Sequence, residues 1–473
     1  MSIFNSDLKP EVIISALKDV KSSIRFVGIL GSGMYPLARL LKGRGYSVSG
    51  SDDNAPKTGY TDVSGITVVK PVGSLEPDVG LVVYSLAIDE GNSEISYAIS
   101  HGIPLISRAQ LLGAVMSDYK TRISVSGSHG KSTVTALVDH ILRTARIPHT
   151  TVSGATLTSG ETFYDGGGDV FLAEACEYKD SFLCLSPTHQ IITSVELDHT
   201  DYFKTEADIC ASFEKAARRA EVLIASCDDK NSCRIADTVR MEGDSLISAV
   251  VTYGQSHSAD YRYSDIVYRD ELTDFSIRMA EREFKLTTSL IGEFNLGNIT
   301  AAVALADTLG IDGKCIEEAV GKFCAIDRRL RRICDIDGTY VYYDYAHHPS
   351  EIRAVIDALK KKYGTLTVIF RPHTFSRTQS LWYDFISELS KPDFTILLDI
   401  YPAREKSVDG VDSKRMAKAI KNCVYTDMSE AAKEALKRGT RTIALLGAGD
   451  VESVKRDFIE ITKNSGVTPE KEI

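Results

Sequence analysis

The chain has no pair of cysteines at C-x-x-C spacing, although nine cysteines are scattered along its 473 residues. An odd count without metal-ligand spacing argues against a disulfide framework or a zinc ribbon and fits reduced thiols packed as small apolar residues. Runs approaching the roughly 18 consecutive apolar residues of a membrane span are also missing, so no membrane insertion is expected. The opening MSIFNSDLKPEV lacks the charged-then-apolar layout of a signal peptide, which points to a cytoplasmic setting. A basic excess is absent too. The formal net charge of −10 argues against nucleic-acid binding, yet leaves room for an anionic nucleotide held by local loops and arginines. What is there is an ordinary globular balance, 43% hydrophobic and 25% charged, in a chain too long for one core.

The most informative stretch is VSGSHGKST, Val125 to Thr133. Ile123–Ser126 reads as a strand and Thr133–Leu142 as the start of a helix. A glycine loop between them aims backbone N–H groups and a helix N-terminus at one spot, which suits a triphosphate. Lys131 can reach the outer phosphates and the Ser132 hydroxyl can hold Mg²⁺. The usual phosphate loop would have glycine at position 125, so this is a shortened form, G-x-x-G-K-S.

Around that loop the chain alternates strands and helices throughout. The first domain, residues 1–118, opens with strand Ile24–Val27 and a glycine turn, Gly28 to Met34, running into a helix through Leu41. A strand at Tyr46–Ser49 follows, and Asp52 lies where a ribose-binding acid sits in a dinucleotide fold. Strands Gly80–Ser85 and Pro104–Ile106 flank a helix at Glu94–Ser100. The second domain, residues 119–327, contains a polar loop, Ser159–Asp169. The third, residues 328–473, alternates again: strands at Thr339–Tyr343, Thr365–Phe370, Thr395–Asp399 and Arg441–Leu446, helices at Pro349–Lys361 and Ser380–Leu389. All three read as α/β, and in open sheets of this sort ligands sit at strand ends.

Several of those ends carry chemistry. Glu174 follows the apolar strand Val170–Ala173 and is a plausible hard-oxygen ligand for Mg²⁺. Asp198, His199 and Asp201 follow the run Ile191–Val195. Asn295 and Asn298 precede a helix at Ile299–Leu309; on a helix they would share a face, while the bland alternative is a helix N-cap at Asn295. Arg328, Arg329, Arg331 and Arg332 form a basic run at the proposed domain junction, either a solvated face or a charge clamp on a nucleotide. Asp344, His347, His373, Arg377, Asp399 and Glu405 decorate three further strand ends, which together read as one wall of a site.

The loop and the segments after it resemble the Mur ligases, the ATP-dependent amide-forming enzymes of peptidoglycan precursor synthesis. Within that family they are most similar to the branch that joins L-alanine to UDP-N-acetylmuramate, over nearly the whole chain from Arg25 to Asp450. The resemblance implies a Rossmann-like N-terminal domain that binds a UDP-sugar, a central P-loop-type ATP-binding domain and a Rossmann-like C-terminal domain. It implies ATP and Mg²⁺, small-molecule partners only, and a monomer or homodimer. Gly127, Ser128, His129, Gly130, Lys131, Ser132 and Thr133 would wrap the ATP phosphates. Ser132, Glu174 and His199 would hold metal, with Lys131, Glu174 and His199 as the catalytic groups. Asn295, Asn298, Arg329, Asp344 and His347 would contact the nucleotide. Gly31, Ser32, Gly33, Met34, Asp52, Ser85 and Ala87 would line the UDP-sugar site, and His373 and Arg377 would meet the incoming amino acid. The segments GILGSGM, SGSD, VVYSLAI and GIPLISRAQLL carry the UDP-sugar part of the likeness. Substrates spread over three domains imply closure before reaction.

The chain departs from the family's pattern at Leu30, where a glycine is common, at Phe294, where G-x-H-N has histidine, and at Ser128 and Ser132 in place of threonines. Two alternatives stand beside the leading expectation. One is a recycling ligase that attaches a preformed peptide to the same sugar nucleotide. The other is a non-catalytic homologue that binds the nucleotide sugar.

Overall fold

The strands build three sheets, in a computed structural model that describes Ile13 and residues 23–88, 91–200, 202–242, 246–269, 271–280, 282–403, 405–449 and 451–464. The first sheet takes β1 (Ser23–Val27), β2 (Val48–Ser51), β3 (Tyr60–Thr61), β4 (Thr67–Val69), β5 (Val79–Tyr84) and β6 (Leu105–Ser107), in the order β3-β4-β2-β1-β5-β6. Only the β3–β4 pair is antiparallel. Strand order reverses at β1, so the glycine turn after Val27 and the Ser85 turn after β5 lie side by side at a switch point.

The second sheet comprises β7 (Thr121–Ser126), β8 (His149–Val152), β9 (Phe163–Asp165), β10 (Val170–Glu174), β11 (His189–Ile192), β12 (Val222–Ser226), β13 (Ala249–Gly254), β14 (Tyr261–Tyr268), β15 (Thr273–Met279) and β16 (Arg282–Thr288). Its order is β16-β15-β14-β13-β12-β11-β7-β10-β8-β9. β7 is parallel to both neighbours, pairing Val125 with Glu174 of β10 and with Ile191 of β11. The loops leaving β7, β10 and β11 therefore emerge next to one another. That placement builds the central site.

The third sheet has β17 (Arg331–Ile336), β18 (Thr339–Asp344), β19 (Leu366–Phe370), β20 (Phe394–Leu397), β21 (Cys423–Tyr425) and β22 (Thr442–Leu446), in the order β17-β18-β22-β19-β20-β21. β17 is the antiparallel edge and the rest are parallel. Alternate residues serve two cores. Tyr342, Val368, Phe370 and Leu446 pack on one face, and Val341, Tyr343, Ile369 and Leu445 on the other. The chain forms two compact units. One carries the first two sheets, which share a buried apolar cluster running from Phe26 and Leu40 to Phe171 and Phe213. The other carries the third sheet with Val267–Asp274 and Thr288–Leu296.

Several expectations need correction. The second strand is shifted to Val48–Ser51, because Gly50 and Ser51 pair with Phe26 and Val27. The polar loop at 159–169 contains β9, which pairs antiparallel with β8 at the sheet edge. Of the apolar run Ile191–Val195, only Ile191 and Ile192 belong to a strand, β11. The segment expected as helix Ser380–Leu389 is two helices, Phe375–Ser380 and Trp382–Leu389. The helix expected from Ile299 begins at Glu293, which removes the N-cap reading of Asn295. Strands β3, β4, β8, β12 to β17 and β21 were not anticipated. All nine cysteines carry free thiols, but only Cys210 and Cys334 are buried and Cys324 is exposed. The opening residues 1–12, Asp201 and Asp450 lie outside the described residues. Among the described residues no helix is long and apolar enough to cross a membrane.

Candidate functional site

Val125 is fully buried in β7, which explains why the loop starts two residues later, at Gly127. Gly127 (φ 138°) and Gly130 (φ 84°) both have a left-handed φ. A β-carbon at 127 would overlap the Thr193 hydroxyl, and one at 130 would lie 2.5 Å from Asn298 Oδ1. The loop is held from the β11 side. Ser128 N–H donates to the Ser194 carbonyl (2.8 Å) and His129 N–H to Ser194 Oγ (3.1 Å). Glu196 N–H donates to Ser128 Oγ (2.8 Å), and the His129 imidazole pairs with the Glu196 carboxylate at 3.1 Å. Gly130 opens the helix Lys131–Thr144 and brings no side chain of its own to cap it. A helix N-terminus beside a lysine is a phosphate-binding arrangement. Ser132 and Thr133 lie in that first turn, both buried.

The Lys131 ammonium is folded back. Nζ donates to the carbonyls of Gly127 and Ser128 and to both oxygens of Glu177, at 3.2 and 3.1 Å. Burial works against its charge, but Glu177, with Cys176 and Glu174 adding to it, holds its pKa above the usual value. Glu177 is 2% exposed. Burial pushes its carboxyl up, and Lys131 together with His199 outweighs this and brings it below the usual range. His199, with φ 52°, sits against the Tyr178 ring and places Nε2 3.7 Å from Glu177 Oε1. Glu174 ends β10 and accepts a bond from Ser153 Oγ at 2.8 Å. Asp198 accepts the His199 N–H at 2.7 Å, a local turn contact.

The structure thus gathers Lys131, Glu174 and His199 at one place, with Asn298 against the loop. It adds Glu177, which the sequence reading passed over. The signal was present in the run AEACEYKD, three residues beyond Glu174, but only the strand order shows that an acid there faces the lysine.

In the first sheet, Asp52 is buried and accepts N–H bonds from Leu30 (3.1 Å) and Asn54 (3.0 Å). One of its oxygens thereby braces the glycine turn and the other its own loop. Gly31 accepts from the N–H groups of Met34 and Tyr35, making the first bend of the helix Tyr35–Gly43. Met34 is buried in the core, so a ligand could meet only its backbone. Ser32 is exposed within the same turn. Ser85 Oγ accepts the Ala87 N–H at 3.3 Å, and Ser85 lies beside Gly28. Arg108, also passed over, lays its guanidinium across Gly33, 3.1 Å from where a β-carbon would stand.

In the second unit, Asp344 accepts N–H bonds from Leu330 (2.6 Å) and Ala346 (2.7 Å). Burial raises its pKa to about 6 against the opposing charge of Arg329. Arg328 donates to the carbonyls of Gly447, Ala448 and Gly449 at 3.2 to 3.3 Å, and Arg332 pairs with Glu271 at 3.1 Å. The basic run therefore resolves into an edge strand and a loop brace, not a solvated face. Arg329 lies over the Tyr345 ring. Asn295 is buried and donates to the Ile291 carbonyl at 2.9 Å, and the Phe294 ring packs over Gly292. The strand ends do gather: the His347 ring lies 6.0 Å from His373, which stacks on Tyr401, and Arg377 Nη1 lies 3.3 Å from His373 Nδ1. Glu405 accepts from Ser376 N–H at 2.9 Å.

Three family profiles cover almost all of this: the Mur ligase family catalytic domain at residues 23–120, the Mur ligase middle domain at 125–306, and the Mur ligase glutamate ligase domain at 328–450. The UDP-N-acetylmuramate–L-alanine ligase of Caldicellulosiruptor saccharolyticus is 36% identical over 445 residues, covering 90% of this chain and 95% of that protein. That of Lachnospira eligens is 36% identical over 459 residues, covering 92% and 98%. Among solved structures, the UDP-N-acetylmuramate–alanine ligase of Thermotoga maritima aligns with a TM-score of 0.76 at 25% identity, over 94% of this chain and all of that one. A murein peptide ligase from Psychrobacter arcticus shares the fold at a TM-score of 0.66 and 21% identity, over 94% and 99%. The chain belongs to the Mur ligase family.

Proposed function

We propose that the chain joins L-alanine to the lactyl carboxylate of UDP-N-acetylmuramate with hydrolysis of ATP to ADP and phosphate, in the cytoplasm, as a step of peptidoglycan precursor synthesis. The observation that carries this reading is end-to-end similarity, at 36% identity, to enzymes named for that reaction. The loop geometry agrees with it. A helix N-terminus and a lysine suit the β- and γ-phosphates, with Asn298 against the loop from its far side. Asn295, Arg329, Asp344 and His347 are assigned to the rest of the nucleotide, and His373 and Arg377 to the amino acid. Gly31, Ser32, Gly33, Met34, Asp52, Ser85 and Ala87 are assigned to the UDP-sugar.

A divalent cation fits the donors present. Two carboxylates, Glu174 and Glu177, stand near a single ammonium, and hard oxygens suit Mg²⁺. Ser132, Glu174 and His199 would hold it, and it would neutralise charge on the phosphate and carboxylate oxygens. The lactyl carboxylate attacks the γ-phosphorus, ADP leaves, and an acyl phosphate forms. The alanine amine then adds to the acyl carbon, and the tetrahedral intermediate expels phosphate. Such chemistry asks the protein for alignment and charge neutralisation more than for a nucleophile. That matches a site of lysine, carboxylates and histidine.

The test is ADP release with ATP, Mg²⁺ and UDP-N-acetylmuramate, with and without L-alanine, and the product mass read directly. Alanine-dependent release with a UDP-muramoyl-alanine mass is expected. Turnover only with a preformed peptide would move the assignment to the recycling reaction. Tight UDP-sugar binding with no ATP turnover under any acceptor would make the chain a binding protein.

A further inference from the structure

Glu177 is a buried acid to which the chemistry above gives no task. Its two oxygens lie 3.2 and 3.1 Å from Lys131 Nζ, and Oε1 is also 3.7 Å from His199 Nε2. An ammonium has three donors. Here the carbonyls of Gly127 and Ser128 and the Glu177 carboxylate take them, so the lysine is committed to its own loop.

We propose that Glu177 is a positioning residue that makes nucleotide binding conditional on a divalent cation. In the empty loop it holds the Lys131 ammonium, and it yields that ammonium to a polyphosphate only when a cation neutralises the carboxylate left behind. The inference rests on the nucleotide reading above and deepens it.

The argument is electrostatic. A polyphosphate entering alone must draw Lys131 away from Glu177. This strands a carboxylate that is 2% exposed beside Glu174 and the new phosphate charges. Like charges in a poorly solvated site repel strongly, and removing one partner of a buried pair leaves the other uncompensated. A divalent cation arriving with the nucleotide reverses that balance. Coupling between two ligands is reciprocal, so cation and nucleotide must each tighten the other. A purely structural counter-charge for a buried lysine would produce no such coupling. The topology supports the assignment: Glu177 leaves β10, His199 leaves β11, and these are the two strands that flank β7.

The experiment is equilibrium binding of ADP to the full chain, in Mg²⁺ and in EDTA, for wild type, Glu177→Gln and Glu177→Asp. Wild type is expected to bind ADP at least about tenfold more tightly with Mg²⁺. Glu177→Gln should shrink that ratio severalfold, through tighter binding in EDTA. Glu177→Asp, which keeps the charge, should restore it. If wild type shows the ratio and folded Glu177→Gln keeps it in full, the assignment of Glu177 is overturned while the nucleotide site stands. If Glu177→Gln does not fold, Glu177→Ala takes its place in the same comparison and is read the same way, with Glu177→Asp as the charge-keeping control. Wild type that binds ADP in neither condition overturns the nucleotide reading and this inference with it.

Discussion

At the scale of single residues, the second unit holds two groups whose titration runs in opposite directions. Burial, with His347 and Arg377 beside it, pushes the His373 imidazole from 6.5 down to about 4, so it is neutral at pH 7 and can accept the Arg377 N–H. Between those values the unfolded chain binds the extra proton. Stability from His373 is therefore present above pH 6.5 and is lost as pH falls through about 4. Asp344 has its pKa raised from 3.8 to about 6, so its contribution is present below 3.8 and lost as pH rises through about 6. Replacing His373 by Gln should flatten the rise of urea-unfolding stability between pH 4 and 6.5 by at most about one proton's slope. Unfolding curves at several pH values check this, and an unchanged slope would show that His373 is not held neutral by its surroundings. The positions of His373 and Asp344 at strand ends were legible in the sequence. Their protonation was not, because burial and neighbouring charge are properties of the packed unit.

At the scale of the element, the phosphate loop depends on two glycines and on what stands opposite them. Gly130→Ala places a β-carbon 2.5 Å from the Asn298 amide oxygen in a left-handed backbone, where a side chain costs about 1–2 kcal/mol before the clash is counted. The expected outcome is a lower melting temperature by a few degrees and ADP binding weakened by more than about tenfold. Gly130→Ala combined with Asn298→Ala should recover part of the stability, since removing the amide relieves the clash but not the backbone strain. Thermal melts and ADP titrations of the single and double variants measure both. No recovery at all would mean that Asn298 does not crowd the loop.

Elements were legible where burial made the pattern plain. β7, β10 and β19 read as apolar runs because helices or neighbouring strands cover both faces. β17 escaped because Arg331 and Arg332 look like a charged surface, yet they form an antiparallel edge beside β18. β14 escaped because its inward tyrosines, Tyr261 and Tyr263, alternate with polar residues and give way to an exposed end.

At the scale of the whole molecule, the assignments divide the work among sheets. Lys131 belongs to the second sheet's loop and the proposed UDP-sugar residues to the first sheet's turns. Lys131→Ala is therefore expected to lower ATP-dependent turnover by on the order of a hundred- to a thousandfold, with UDP-sugar affinity within about twofold of wild type. Steady-state kinetics and direct UDP-N-acetylmuramate binding test the two halves separately. A collapse of sugar-nucleotide affinity in a folded variant would contradict the division.

The order of residues along the chain was enough to establish a shortened phosphate loop, a second glycine turn, alternating α/β elements and the resemblance to the Mur ligases. Those features are local, set by glycine at special backbone angles, by a lysine and serine at the helix start, and by apolar runs of strand length. Tertiary structure alone decided which strand ends meet. The parallel placement of β10 and β11 on either side of β7 carries Glu177 and His199 to Lys131 across 46 and 68 positions of chain. Strand order is the outcome of packing whole helices and sheets on one another, and no spacing in the sequence records it.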